Sequence, residues 1–280
     1  MLQNLKTLLI APAVLGGIGS AIVTFPISRV SAFFAALTTV VTAINELRVV
    51  NGGASQGMAE QPSVPTSGFG AFLMEKFRSP GFCPLAHAVC NCYAALTALI
   101  QLHFAKSFIM VVFAIAGVAV ARIANLGYIP LHRHQSSLEK RGELAWRKLP
   151  HNLQVMLKDP GLLFCLGNVS LILVDLRFAE LKGAGVASIV FFLGLCLAVV
   201  AVVRGIQPLL RSHAASASGG ASLIGGVSDL FLGYSTFFCG NSFTAIGTIF
   251  WGLSNICLGA RVGNTQLDRW IVMRWLRGER

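Results

Sequence analysis

The sequence predicts an all-α integral membrane protein with about eight transmembrane helices in four hairpins. The chain of 280 residues is 55% hydrophobic and only 12% charged, about half the usual share of a soluble domain. The charges also leave long gaps, with only Lys106 between Arg78 and Arg122 and only Asp229 between Arg211 and Arg261. Apolar runs of about 18 residues or more indicate spanning helices. Because these runs are continuous and do not alternate, they do not fit an outer-membrane barrel.

The eight predicted spans follow these apolar runs along the chain. Tight turns at 25–28, 103–106, 175–185 and 239–241 would pair them into hairpins. For the last pair, one long helix with a re-entrant segment is an alternative. The spans are 7–25, 29–46, 81–102, 107–124, 161–176, 184–203, 223–239 and 242–260.

The first predicted span has an alternative interpretation. Lys6, the apolar run after it and the small residues at 19–21 resemble a cleavable signal peptide, which would leave seven spans. Pro12 and three glycines interrupt the apolar run, and we therefore expect a retained span.

Three longer polar segments and a tail separate the hairpins within this single membrane domain. Residues 47–78 are rich in Gly, Ser and Pro and predict a mobile loop, and residues 204–222 form a small-residue linker. Residues 125–158 form a basic loop, and residues 261–280 form a basic tail with two tryptophans.

The positive charge is distributed unevenly along this topology. If the three longer segments, Lys6 and the tail lie on one side, that side holds 18 of the 22 Lys and Arg residues. The other side holds Arg29, Lys106, Arg177 and Lys182. By the positive-inside rule, both termini should lie on the cytoplasmic or matrix-equivalent side of a membrane that the sequence does not identify.

The basic loop and the tail predict an interfacial anchor to the lipid bilayer. Arginine and lysine near anionic lipid headgroups contribute about 1 kcal/mol each, and tryptophan rings favour the headgroup region. A tail that docks on a partner protein is the alternative. Nucleic acid is not an expected partner, since the basic residues flank spans. The anchor residues are Arg133, Lys140, Arg141, Arg147, Lys148, Arg269, Trp270, Arg274, Trp275 and Arg277.

The two central hairpins resemble each other in sequence. Residues 77–91 and 157–171 both carry a basic residue, then Pro-Gly, then a span, with Pro80 and Pro160 in matching places. The second helices end near Arg122 and Arg204. The pattern predicts an internal duplication, which is common in transporters and is also a way to enlarge a scaffold.

Six polar side chains in or beside the spans form a candidate intramembrane site: His87, Asn91, Asn168, Asp229, Asn241 and Asn255. Polar groups at membrane depth are costly unless paired. Asp229 is interpreted either as a proton or cation carrier or as an interfacial partner of a nearby arginine. For His87 and Asn91, interhelical hydrogen bonding is the simpler alternative to a site.

The remaining patterns argue against an enzyme. No phosphate-binding glycine loop or nucleophile elbow occurs, and no predicted helix carries paired carboxylates at i, i+3 or i, i+4. His132-x-His134 is too short for a zinc site, so we expect no metal and no cofactor. Seven cysteines, all in or at predicted spans, do not indicate a disulfide framework. Small residues at 16–21, 116–121 and 225–233 predict close approach of helices, either in a packed bundle or at an oligomer interface.

Two functions are consistent with these patterns. The first is a non-catalytic scaffold or accessory subunit of a membrane complex or organelle membrane, working as a homo-oligomer or with membrane protein partners. The alternative is a small-solute, ion or proton-coupled transporter with a path between the duplicated hairpins, lined by His87, Asn91, Asn168 and Asp229. The sequence gives neither substrate nor partner.

Overall fold

The computed structural model describes residues 11–53, 82–128, 160–210 and 220–262. Those residues form helices joined by short turns, with no strand among them, and the predicted all-α class is confirmed for this part of the chain. The helices are α1 Pro12–Thr24, α2 Arg29–Gly53, α3 Phe82–Ile100, α4 Phe104–Tyr128, α5 Pro160–Asp175, α6 Phe178–Gly183, α7 Val186–Leu210, α8 Gly220–Phe237 and α9 Ser242–Val262.

Four of these helices are long and apolar enough to cross a membrane. They are Phe82–Ile100, Phe104–Ala121, Val186–Ile206 and Ser242–Gly259. Pro12–Thr24, Arg29–Ile44 and Leu162–Asp175 are apolar but shorter. These lengths and compositions support a membrane-embedded protein, whereas the count of eight spans stays a prediction.

The segment between α5 and α7 differs from the simple turn expected at 175–185. It contains the one-and-a-half-turn helix α6, with Glu180 in its first turn and Lys182 in its last, where each charge complements the helix dipole. Leu181 is buried in a cluster with residues of α5, α7 and α8, which explains why so short a helix is stable here.

Side-chain and backbone caps end the helices where the chain turns. The Ser28 hydroxyl accepts a bond from the Ser31 N–H at the start of α2. After α3, Leu102 has a φ of 61°, and the His103 N–H donates to the Ala98 carbonyl, as in a Schellman motif. Gly240, with a φ of 75°, lies in the turn between α8 and α9, so 223–260 contains two helices, and whether both span the membrane stays a prediction.

The four short turns lie at one end of the bundle. The ring of Phe25, after α1, stacks on that of Phe243, at the start of α9, with centroids 5.5 Å apart. Lys106 Nζ, at the start of α4, lies 2.8 Å from Asp175 Oδ1, at the end of α5. Because the same Asp175 carboxylate accepts the hydroxyl hydrogen of Thr244 on α9, the α3–α4, α5–α7 and α8–α9 turns are joined.

Two helices, α5 and α9, occupy the centre of the described bundle. α5 packs against α4, α7, α8 and α9, and α9 packs against α1, α5 and α8. Trp251 of α9 and Phe113 of α4 are buried with ring centroids 4.2 Å apart. The Trp251 indole N–H donates to the Gly16 carbonyl at 3.1 Å, which joins α1 to the centre of the bundle.

Glycines let α9 approach two of its neighbours, α8 and α1, closely. A methyl group on Gly226 of α8 would lie 2.6 Å from the Gly252 carbonyl oxygen, and one on Gly252 would lie 2.8 Å from that of Gly226. Gly19 of α1 and Gly247 of α9 make the same reciprocal approach, at 2.9 and 3.2 Å. Backbones this close gain van der Waals contact along the helix pair. This agrees with the close approach of helices that the small residues at 16–21 and 225–233 predicted.

The two hairpins that resemble each other in sequence pack differently. α3 and α4 lie directly against each other, whereas α7 packs mainly on α8 and less on α5. The second hairpin also contains α6, which has no counterpart between α3 and α4. Pro80 lies outside the described residues, and the duplication stays a prediction.

Candidate intramembrane polar site

Three of the six predicted site residues come together between α5, α8 and α9. Asn168 Nδ2 donates to Asp229 Oδ2 at 2.7 Å, and Asn255 Nδ2 donates to the same oxygen at 3.0 Å. Asp229 and Asn168 are fully buried, and Asn255 is 2% exposed. The amide–carboxyl triad, as we name Asn168, Asp229 and Asn255, therefore lies inside the bundle.

The triad contains no positive charge. Among the described residues, no Lys, Arg or His forms an ion pair with Asp229, so the interfacial pairing with an arginine is not what this part of the structure contains. Asn168 and Asn255 both donate to the same carboxyl oxygen, Asp229 Oδ2. Asp229 Oδ1 and Asn168 Oδ1 are buried without a hydrogen-bond donor among the described groups. An unpaired buried acceptor costs about 1–3 kcal/mol, and more if it is charged.

Close helix packing fixes the position of Asp229. A methyl group on Gly252 would lie 3.0 Å from the Asp229 Cβ, so a larger residue there would crowd that side chain. One residue earlier on α8, the Ser228 hydroxyl donates to the Gly194 carbonyl of α7 at 2.7 Å. The contacts of α8 with α9 and with α7 thus fix the orientation of α8, and the Asp229 carboxyl points towards α5 and α9.

His87 and Asn91 form a second buried group on α3, at 7% and 3% exposure. His87 Nε2 lies 3.5 Å from the Thr39 hydroxyl of α2, and a methyl group on Gly17 of α1 would overlap both side chains. His87 therefore faces α1 and α2, whereas Asp229 faces α5 and α9. In the described part of the chain no hydrogen bond joins His87 or Asn91 to the triad, and His87 Nδ1 and Asn91 Oδ1 have no partner there.

Asn241 has a structural role at the bundle end. Its Oδ1 accepts the Thr244 N–H at 3.2 Å, and its carbonyl accepts the Ala245 N–H. This is the geometry of a helix N-cap, for which asparagine is among the preferred residues. The structure therefore places Asn241 at the start of α9 and away from the triad.

A second buried carboxyl, Asp175, was not among the predicted site residues. Its side chain is 8% exposed and pairs with Lys106, whereas Arg177 and Glu180, at 73% and 42% side-chain exposure, are solvated. The sequence feature that could have identified this ion pair is Lys106, because it is the single charge between Arg78 and Arg122 and an acidic partner for it could have been sought.

A cleft opens at the turn end of the bundle, with a volume of about 450 Å³. None of the six predicted site residues lines it. Its walls come from the α1–α2 turn, the end of α3 and the start of α9: Phe25, Pro26, Ile27, Ser28, Arg29, Thr97, Gln101 and Phe243.

The ten predicted anchor residues, from Arg133 to Lys148 and from Arg269 to Arg277, lie outside the described residues. No disulfide joins the seven cysteines, which all fall within the described ranges. Within those ranges, no three His, Cys, Asp or Glu side chains are grouped as a metal site would require.

The fold and the site together define a membrane-embedded bundle of apolar helices with a buried amide–carboxyl triad. Comparisons with protein-family models, curated proteins and solved structures found no match to this chain.

Proposed function

We propose that the chain is a non-catalytic scaffold or accessory subunit within a membrane. The observation that carries this proposal is the closely packed centre of the bundle, where reciprocal glycine contacts and the Trp251–Phe113 pair fill the space between α1, α4, α8 and α9. The cleft at the turn end does not touch the triad or His87. A filled interior with apolar outer faces suits a protein that works through its surface.

The proposed topology has eight spans, with the four short turns on the outer side. The turns' common location at one bundle end supports it, because each of those turns carries or adjoins at most two basic residues, while 18 of 22 belong to the other segments. Single cysteines at Gly183, in an exposed turn, and at Ser136, in the basic loop, test this arrangement in a background without the native cysteines. A membrane-impermeant thiol reagent should label them from opposite sides. Labelling of both from one side would contradict the topology.

The proposed partner surface is the apolar exterior. α7 packs against α5, α6 and α8. Val199 of α7 is 62% exposed, and Val89 of α3 is 65% exposed. The occupant we propose is a second copy or another membrane protein, with lipid covering the remainder. Purification in mild detergent followed by native mass spectrometry should recover a stable assembly, and recovery of a lone monomer would contradict the proposal.

Matched substitutions locate the partner surface. Val199→Trp and Val89→Trp add the same bulk at two exposed positions and should leave the fold unchanged. Loss of the assembly with Val199→Trp but not with Val89→Trp would place the interface on α7, and the reverse result would place it on α3.

A second function, proton- or ion-coupled transport, has one observation in its favour. Asp229 is an ionisable residue buried without a counter-charge among the described residues, and such residues inside membranes often serve transport. Flux measured with reconstituted protein should then fall at least tenfold with Asp229→Asn and stay unchanged with Glu180→Gln, a control in an exposed turn. Absence of flux in the wild-type protein, or equal flux in Asp229→Asn, would remove this candidate.

A further inference from the structure

The two unpaired oxygens of the triad belong to the same pair of side chains. Asn168 Nδ2 donates to Asp229 Oδ2 at 2.7 Å, which places the amide and the carboxyl next to each other. The remaining polar atom of each side chain is an oxygen: Oδ1 of Asn168 and Oδ1 of Asp229. Both are buried without a donor among the described groups.

A single proton resolves this mismatch. An ionised carboxyl offers only acceptors, so it cannot satisfy an amide oxygen. A carboxylic acid carries one O–H donor, and its other oxygen still accepts. A proton on Asp229 Oδ1 would give that oxygen a hydrogen to donate to Asn168 Oδ1, while Oδ2 continues to accept from Asn168 and Asn255.

We propose that Asp229 is a buried proton-binding site, in which the proton on Oδ1 is shared with Asn168 Oδ1 as a cyclic acid–amide pair. A hydronium ion supplies the proton and leaves water, and the carboxylate becomes a neutral acid. Asn168 completes the pair, and Asn255 positions the accepting oxygen by its 3.0 Å bond. A metal cation suits the site less well, because two amide N–H groups already point at the carboxyl.

Among the residues that the structure describes, no basic side chain is ion-paired with Asp229. The helices packed on α8 are α5, α7 and α9. Cys165 on α5 is close enough to interact electrostatically with Asp229, and Asp175 is engaged with Lys106 at the bundle end. The other titratable side chains described on these helices are Cys196 and Arg204 on α7 and Cys257 on α9, and Arg204 is not ion-paired with Asp229 in this part of the structure.

This site goes beyond the proposed scaffold function, since it can bind its proton whether or not the protein transports anything. Its test must therefore not depend on flux or on assembly.

Infrared spectroscopy of the purified protein at pH 7 tests the proton directly. Exposed Asp and Glu are ionised well above pH 4, so a carbonyl band of a carboxylic acid at pH 7 reports a buried protonated group. We expect such a band in the wild type, shifted in deuterated water, absent in Asp229→Asn and retained in Glu180→Gln. Absence of the band in the wild-type protein would overturn the proposal, even if Asp229→Asn failed to fold.

The pH dependence of stability provides a second test. The folded chain keeps the proton, and the unfolded chain releases it above about pH 4. Because the folded state binds one more proton, the unfolding constant of the wild type should rise by up to tenfold per pH unit above that value. Asn at position 229 has a donor and an acceptor in the places of the acid, so Asp229→Asn should lack this contribution. Equal pH slopes in the two proteins would contradict the proposal.

Asn168→Leu tests whether Asn168 shares the proton of Asp229 or only helps to pack the triad. Without the amide oxygen, the acid band should remain and move to the higher frequency of an acid that lacks a hydrogen-bond acceptor. A band that stays in place would show that Asn168 does not share the proton.

Discussion

Asp175 and Asp229 are two buried carboxyl groups in the same bundle with different partners. Asp175, at the turn end, pairs with Lys106 at 2.8 Å and also accepts the Thr244 hydroxyl. Asp229, between α5, α8 and α9, accepts from two amide donors among the described residues. The Lys106 side chain remains 30% exposed, so at the turn end the cation can bind the carboxyl and still contact solvent.

The difference teaches how depth selects the partner of a buried acid. A cation at the bundle centre would have to be desolvated completely, at a cost of several kcal/mol. A neutral amide has no such cost and still donates two hydrogens. The turn end therefore uses an ion pair that ties three turns together, and the centre uses amides that leave the carboxyl free to bind a proton.

Gly226→Val should cause the largest loss of stability, because it separates the two helices that carry Asp229 and Asn255. The added carbon would meet the Gly252 carbonyl at about 2.6 Å, and the rigid backbones can respond only by moving apart. We expect a loss of about 3 kcal/mol in the free energy of unfolding, measured by thermal unfolding in detergent. Gly183→Ala, in an open position, is the control and should leave the free energy of unfolding unchanged.

Lys106→Met should come next, because it leaves the nearly buried Asp175 carboxylate without its cation. Breaking a fully buried pair costs about 3–5 kcal/mol, and the partial exposure of Lys106 reduces this to about 2 kcal/mol. Unfolding measured in a double-mutant cycle with Asp175→Leu should show that the two changes together cost less than their sum. Additive losses would mean that the ion pair contributes nothing.

Asn255→Leu should have a smaller effect and sharpens the roles of the two amides. It removes one of two bonds to Asp229 Oδ2, for an expected loss of about 1 kcal/mol. Because Asn168 remains, the acid band of Asp229 should keep its frequency. A shift as large as that of Asn168→Leu would mean that both amides share the proton.

Arg177→Ala should have the smallest effect, less than about 0.5 kcal/mol. Its pair with Glu180, at 3.1 Å, is exposed to solvent, and exposed ion pairs contribute little. The same thermal measurement applies, and a loss as large as that of Lys106→Met would show that the turn-end charges act as one network.

The sequence by itself predicted the helices and their order. Long apolar runs with rare charges require helices in lipid, and the turns predicted at 25–28 and 239–241 separate helices as expected, whereas Pro12, predicted inside the first span, begins α1. Asp229 also stood out from sequence, since it is the single charge between Arg211 and Arg261. The short helix α6 was missed, because its stability depends on burial of Leu181 against other helices.

Only the tertiary structure decided which polar groups meet. Asn168, Asp229 and Asn255 lie on three different helices, 26 to 61 residues apart where they bond, and no local pattern states which faces of those helices touch. For the same reason, His87 and Asn91 were grouped with the triad in sequence, although His87 faces α1 and α2. Pairing depends on which glycines allow two backbones to approach, and that is a property of the packed bundle.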